Sequence, residues 1–261
     1  MASAAVKPIP EGYRTITLYL TVKEAPELVE FVQKAFGAEV LHQGMGSGGG
    51  MHAEVKIGDS RLMMGGGSAY PGPWYPAAIH LKVDNVDETY ARALRAGGIS
   101  THEPTDFEYG ERGAGIKDVG GNEWYIATPK GDSHWLPEMG SVTAYLHPRG
   151  TGRLIEFLKA AFGAEEVMRA ESATGTIEHA KVRIGDSIVE MGEAHGEYEP
   201  KPTMLYMYVK DVDAAYERAV KAGGKSFAAP TDQPYGDRNG AVEDVCGNLW
   251  YIATHVKDVQ M

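Results

Sequence analysis

The chain has 261 residues, 43% of them hydrophobic and 23% charged, with a formal net charge of -11. That describes a globular protein of one large or two ordinary domains, each half long enough to bury its own core. The acidic balance excludes a nucleic-acid reading, which needs clustered Lys and Arg, and the single cysteine, Cys246, excludes internal disulfides and multi-cysteine metal sites. Met1 to Pro10 holds no apolar run of signal-peptide length, and no stretch approaches the ~18 apolar residues of a membrane span, so a cytoplasmic protein without membrane attachment is expected.

In chain order, Val22 to Gly37 reads as a strand end, a short turn and a helix. Leu28, Phe31, Val32, Ala35 and Phe36 recur with helical period, and Gly37 suits a left-handed cap. The run GMGSGGG satisfies a glycine pattern for dinucleotides but is followed by alternating His52 to Ile57, so it predicts a hairpin loop. Gly58-Asp59 turns the chain back into Leu62 to Met64. Gly65 to Pro76 is a glycine-rich connection carrying Tyr70, Trp74 and Tyr75, to be read as an aromatic lid or as a loop packing its rings down.

Val83 to Gly98 then repeats the strand-end and helix plan, with Val86, Tyr90, Ala93 and Leu94 as its stripe. Asp118 to Asn122 turns into a closing strand, Glu123 to Thr128. The whole order now recurs. Phe36-Gly37-Ala38-Glu39 returns as Phe162-Gly163-Ala164-Glu165, Ile57-Gly58-Asp59-Ser60 as Ile184-Gly185-Asp186-Ser187, and Gly121 to Thr128 as Gly247 to Thr254. Helix plans recur at Pro148 to Gly163 and Val209 to Gly224. The chain therefore divides into a tail at 1–12, a first repeat at 13–128, a linker at 129–140, a second repeat at 141–256 and a tail at 257–261. The fold class is α+β: two tandem copies of paired β-α-β-β-β modules forming curved mixed sheets, with helices on the outer face.

Paired β-α-β-β-β units, an Asp-x-x-Gly-Asn turn before the last strand and a duplicated chain resemble the vicinal oxygen chelate superfamily of glyoxalases, bleomycin-resistance proteins and extradiol dioxygenases. The endings YGERGAGIKDVGGNEWYIATP and YGDRNGAVEDVCGNLWYIATH, with Met51-His52-Ala53-Glu54 and Asp84-Asn85-Val86-Asp87, are similar to its demethylubiquinone-methyltransferase-like branch. The resemblance implies ligand positions on the first and last strand of each module: Thr17, Met63, Ala78 and Tyr125, then Thr143, Glu190, Met204 and Tyr251. A two-residue shift keeps the same face and brings His80 in with Glu190. Glu190 and His80 are thus the candidate metal ligands, although a catalytic zinc takes three protein ligands and an iron oxygenase two His and a carboxylate. Cavities lie either within a copy or between the first half of one copy and the second half of the other.

Candidate ligand-binding residues are Tyr19, Tyr125, Tyr145, Tyr206 and Tyr251, with His52, Glu54, His80, His179 and Glu190. The tyrosines offer flat apolar rings with polar tips, or ordinary strand packing. His52 and His179 are ligand-orienting groups, a general base or half-buried strand residues. Glu190 follows Lys181, so a cross-strand ion pair competes with metal binding. Arg112 and Arg238 either hold a carboxylate or clamp the closing hairpins through Asp118 and Asp244. Together these favour a protein binding a small aromatic or cationic molecule without cofactor. The alternatives are a lyase, isomerase or dioxygenase using Zn, Fe, Mn or Ni, and a protein-interaction scaffold. A monomer with internal pseudo-two-fold symmetry is expected.

Overall fold

The computed structural model describes residues 6–131, 135–196 and 198–259; parts of the tails and linker at 1–5, 132–134 and 260–261 lie outside the described residues. The order strand, helix, three strands occurs four times. The first repeat holds β1 (Ile16–Val22), α1 (Ala25–Phe36), β2 (Glu39–Met45), β3 (Met51–Ile57), β4 (Ser60–Gly66), β5 (Ala78–Lys82), α2 (Val86–Arg95), β6 (Ile99–Phe107), β7 (Glu111–Lys117) and β8 (Glu123–Pro129). The second holds β9 (Val142–Leu146), α3 (Thr151–Phe162), β10 (Glu165–Glu171), β11 (Ile177–Ile184), β12 (Ser187–Met191), β13 (Met204–Tyr208), α4 (Val212–Lys221), β14 (Lys225–Asp232), β15 (Asp237–Glu243) and β16 (Leu249–His255). No helix among the described residues is long and apolar enough to cross a membrane.

The chain forms two compact units, one of Leu18–Leu146 and one of Met1–Thr17 with His147–Met261. In the first, strands run in the orders β1-β4-β3-β2 and β9-β5-β8-β7-β6; in the second, β14-β15-β16-β13 and β10-β11-β12. The units therefore follow the repeats except at the residues that open each copy. β9 opens the second copy yet pairs antiparallel with β5 of the first, Ile79 opposite Ala144 and His80 opposite Thr143. In the other unit Thr15, at the head of the first copy, accepts a hydrogen bond from Tyr208 N at 2.8 Å.

One recurring motif seats both exchanged ends. At the β3–β4 turn Asp59 Oδ1 accepts from Ser141 N at 2.7 Å, and Ser60 Oγ from Val142 N at 3.0 Å. At the β11–β12 turn Asp186 Oδ1 accepts from Thr15 N at 2.7 Å, and Ser187 Oγ from Ile16 N at 3.0 Å. Gly58 and Gly185 share φ 59°, and a Cβ would come within 2.1 Å of Ser141 Oγ or 2.3 Å of Thr15 Oγ1. Positive φ and close approach both require glycine there. The repeated Gly-Asp-Ser thus holds the residues that open the opposite copy, Ser141 and Val142 in one unit and Thr15 and Ile16 in the other.

Helices stay with their own copy. Arg92 Nε of α2 donates to Ala35 O of α1 at 3.1 Å, and Arg218 Nε of α4 to Ala161 O of α3 at 3.3 Å. The expected stripe of α1 is buried at Leu28, Phe31, Val32 and Ala35, and Phe36 packs on Trp124 with ring centroids 4.6 Å apart. Phe162 and Trp250 repeat that contact at 5.1 Å. The strand residues under the helices, such as Ile79, Leu81, Trp124 and Ile126, are fully buried. Alternation then sends His80 and Tyr125 to the opposite face.

The closing hairpins are held by Asp118 and Asp244, but not through the arginines. Asp118 accepts from Trp124 Nε1 at 2.7 Å, from Asn122 Nδ2 at 2.9 Å and from Gly120 N at 2.9 Å; Asn122 Oδ1 then takes Ala77 N at the entry to β5. Burial raises the carboxyls of Asp118 and Asp244 despite these bonds. Arg112 instead forks onto Asp87 of α2 with two 2.7 Å bonds and reaches Asp106 of β6, and Arg238 repeats this with Asp213 and Asp232. Six residues along a strand span about 20 Å, which puts Asp118 out of reach of Arg112. In the aromatic connection after β4 Tyr70 meets Trp74 edge-on at 5.4 Å with Trp74 left exposed, and the backbone is tied by Tyr75 N donating to Thr21 O at 2.8 Å.

Candidate functional site

The sheet faces turned away from the helices carry four polar clusters, two in each unit. In the Leu18–Leu146 unit, β1 and β4 are parallel with Tyr19 level with Met63, and β3 sets Glu54 opposite Met63. His52 stands opposite Gly65, where a Cβ would lie 2.9 Å from the Tyr19 hydroxyl; the missing side chain lets that hydroxyl reach His52 Nδ1 at 2.9 Å. Glu54 lies 3.6 Å from His52 Nε2 and accepts from Arg61 Nη1 at 3.3 Å. Its carboxylate is shared between two bases.

The second cluster of that unit forms a row across three strands. Thr143, His80 and Tyr125 are level on β9, β5 and β8, so their side chains share a face. His80 is 9% exposed and its Nε2 lies 3.6 Å from Glu111 on β7. Trp135, from the segment after β8, packs its ring 4.6 Å from that of His80, and Lys82 Nζ lies 5.3 Å from the indole centroid. Tyr145 meets Tyr125 edge-on at 5.5 Å.

In the other unit Glu190 and Lys181 are directly opposite on β12 and β11. Lys181 Nζ reaches Glu190 Oε1 at 3.0 Å, with side-chain exposures of 2% and 0%. His179, two residues along, brings Nε2 to the same oxygen at 3.2 Å. The carboxylate already has its counter-ion, which is the cross-strand pair weighed from the sequence.

The last cluster was largely missed by sequence reasoning. Tyr206 and Tyr251 are level on β13 and β16, their rings parallel within 6° and 6.2 Å apart. Asp237 of β15 accepts from the Tyr206 hydroxyl at 2.8 Å and the Tyr208 hydroxyl at 3.0 Å, and its other oxygen meets His255 Nδ1 at 2.8 Å. Asn239 Nδ2 lies 3.1 Å from the Tyr206 oxygen and 2.7 Å from that of Tyr235. Burial, with Tyr208 and Asp237 close by, pushes the Tyr206 phenol well above its ordinary value. Tyr206 is therefore a neutral phenol fixed on both sides. Alternation from Arg238 predicts Asp237 and Asn239 on the opposite face, and that was the available signal.

The same registers reposition the ligand sites implied by the resemblance. Ala78 is level with Glu123 and Met204 with Leu249, whereas His80, Tyr206 and Tyr19 are level with Tyr125, Tyr251 and Met63. The rows are shifted by two residues, as one of the two alignments allowed. His80 and Glu190 belong to different compact units. Among the described residues no three His, Cys, Asp or Glu side chains are grouped to share a metal ion.

The family model for the Glyoxalase/Bleomycin resistance protein/Dioxygenase superfamily matches the chain twice, at residues 15–126 and 149–252. The chain belongs to that superfamily. Uncharacterised proteins of Mycobacterium tuberculosis and Mycobacterium bovis are 30% identical over 143 residues and 34% over 118; these matches cover 51% and 41% of this chain and 84% and 78% of theirs. Glyoxalase I from Zea mays superposes with a TM-score of 0.68 at 14% identity, covering 91% of this chain and 92% of its own. A putative dioxygenase from Bacillus subtilis gives 0.63 at 14% identity, covering 94% and 87%. These superpositions speak for the glyoxalase fold alone. Against the superfamily's metal chemistry, the donor set fits poorly. The level rows offer Tyr and Met, His and Tyr, or Tyr and Tyr, and Glu190 is committed to an ammonium.

Proposed function

We propose that this superfamily member binds a small aromatic or cationic molecule on its open sheet faces without a complete metal centre, as a monomer in the cytoplasm. The observation that carries this reading is the Tyr206–Tyr251 platform. Tyr206 is held by Asp237 and Asn239, so the pair presents a flat, parallel aromatic surface with little conformational freedom left to lose. Tyr251 is half-buried and gives the exposed side of that surface. Flat ligands stack on such a platform, and cations are attracted to its ring faces.

A titration of the purified full chain with a panel of neutral aromatic, anionic aromatic and quaternary ammonium compounds, followed by calorimetry, tests the reading. Saturable binding that weakens in Tyr251→Ala supports it. Folded protein that binds no member of the panel contradicts it.

A further inference from the structure

The face around His80 contains two polar groups with no partner among the described residues: Trp135 Nε1 and Thr143 Oγ1 are buried and make no hydrogen bond. Thr143 is 3% exposed as a residue. A buried donor left unsatisfied costs about 1–3 kcal/mol, so such groups call for an occupant. An indole N–H can only donate, and a threonine hydroxyl can donate as well.

Both groups border one imidazole. Thr143 stands opposite His80 in the β5–β9 register, and the Trp135 ring lies 4.6 Å from the His80 ring. The Lys82 ammonium, 5.3 Å from the indole centroid, adds positive potential. Glu111, the neighbouring carboxylate on β7, is 3.6 Å from His80 Nε2 and so faces a base of its own. Tyr125, level with His80, and Tyr145 beside it supply apolar ring surface. Two donors, a nearby cation and two aromatic walls match a ligand with an electronegative oxygen at one end and a flat ring at the other.

We infer that the His80 face takes the oxygen-bearing end of a small aromatic ligand, a carboxylate or carbonyl, with Trp135 Nε1–H and Thr143 Oγ–H donating to that oxygen. This rests on the small-molecule reading above and narrows it to the acceptor class. Trp135 and Thr143 then set specificity, and the ring lies against Tyr125 and Tyr145.

The test uses 15N-labelled full-length protein. The Trp135 indole signal is identified by its absence in Trp135→Phe, and benzoate, acetophenone and benzylammonium are titrated separately. Saturable movement of that signal with benzoate or acetophenone but not benzylammonium is expected. Whichever moves it more separates an anionic from a neutral acceptor. Trp135→Phe and Thr143→Val should each weaken binding about five-fold, the loss of one ordinary hydrogen bond, while Thr143→Ser retains it. Thr143→Val should fold at least as stably as the parent, so weaker binding there is not unfolding. The inference is overturned if neither oxygen-bearing probe moves the signal, or if both variants bind as tightly as the parent. Benzylammonium binding that leaves Trp135 untouched also overturns it, yet keeps the small-molecule reading. Failure of the wider panel removes that reading as well.

Discussion

Lys181 places its ammonium 3.0 Å from Glu190 Oε1, and the two face each other across β11 and β12 with side-chain exposures of 2% and 0%. A lysine of the same sheet therefore supplies the charge that balances this buried carboxylate. Lys181→Met leaves the carboxylate buried without its main counter-ion and should cost about 3–5 kcal/mol in denaturant unfolding. The double variant Lys181→Met/Glu190→Met should recover most of that loss. An unchanged midpoint in the single variant would show that the pair carries no such load.

The Asp186 carboxylate and its neighbour Ser187 hold the backbone of Thr15 and Ile16, so the loss of Asp186 should be felt in stability rather than in binding. Burial alone would raise its pKa, but hydrogen bonds from Thr15 and Ser187 outweigh it and hold the carboxyl below its ordinary range. Asp186→Ala should cost about 1 kcal/mol, a figure reduced for the solvent that still reaches the group. A depressed carboxylate contributes fully above its ordinary pKa, and that contribution is lost as pH falls through the lowered value. Acid denaturation of the variant should therefore lack this component, which a comparison of the two acid unfolding curves will reveal.

His255 gives the opposite sign. Burial disfavours its charged form, but Asp258 and Asp237, hydrogen-bonded to its two ring nitrogens at 2.9 and 2.8 Å, raise the imidazole above its ordinary 6.5. Its contribution is complete below 6.5 and disappears as pH rises through the higher folded value. Denaturant midpoints measured from about pH 6 to about pH 9 should fall more steeply for the parent than for His255→Gln. An imidazole titrating at or below its ordinary value by NMR would contradict this.

Asp237 lies beneath the tyrosine platform, so Asp237→Asn should weaken stacking ligands without removing either ring. The amide keeps one acceptor but introduces a donor among the Tyr206 and Tyr208 hydroxyls and the His255 ring. About a five- to ten-fold loss of affinity, with near-unchanged secondary structure by circular dichroism, is the expected result. Equal affinity would place the binding surface elsewhere.

Helices, hairpins and the duplication were legible because each depends on local pattern: the Leu28, Phe31, Val32 and Ala35 stripe and the alternation of His52 to Ile57 fix faces without knowledge of partners. Strand exchange was not. The Gly-Asp-Ser motif is the same in both copies, and only Ser141 N on Asp59 and Thr15 N on Asp186 reveal which strand each turn receives. The two-residue uncertainty at Ala78 and His80 has a similar cause, since a shift of two preserves the face and leaves no trace in the pattern. Proximity in sequence offers Asp118 as one partner for Arg112, but the distance along an extended strand makes Asp87 and Asp106 the real ones. Trp135 lies in a segment without period, so nothing local pointed it toward His80.

If tyrosine rings and an internal ammonium stand in place of a metal centre, the purified chain holds no stoichiometric divalent ion. Elemental analysis of the full-length protein, purified after growth with added Zn, Fe, Mn and Ni and then desalted, tests this most directly. Divalent metal far below one equivalent per chain is expected. Close to one equivalent, retained through desalting and lost in Glu190→Gln or His80→Ala, would contradict it.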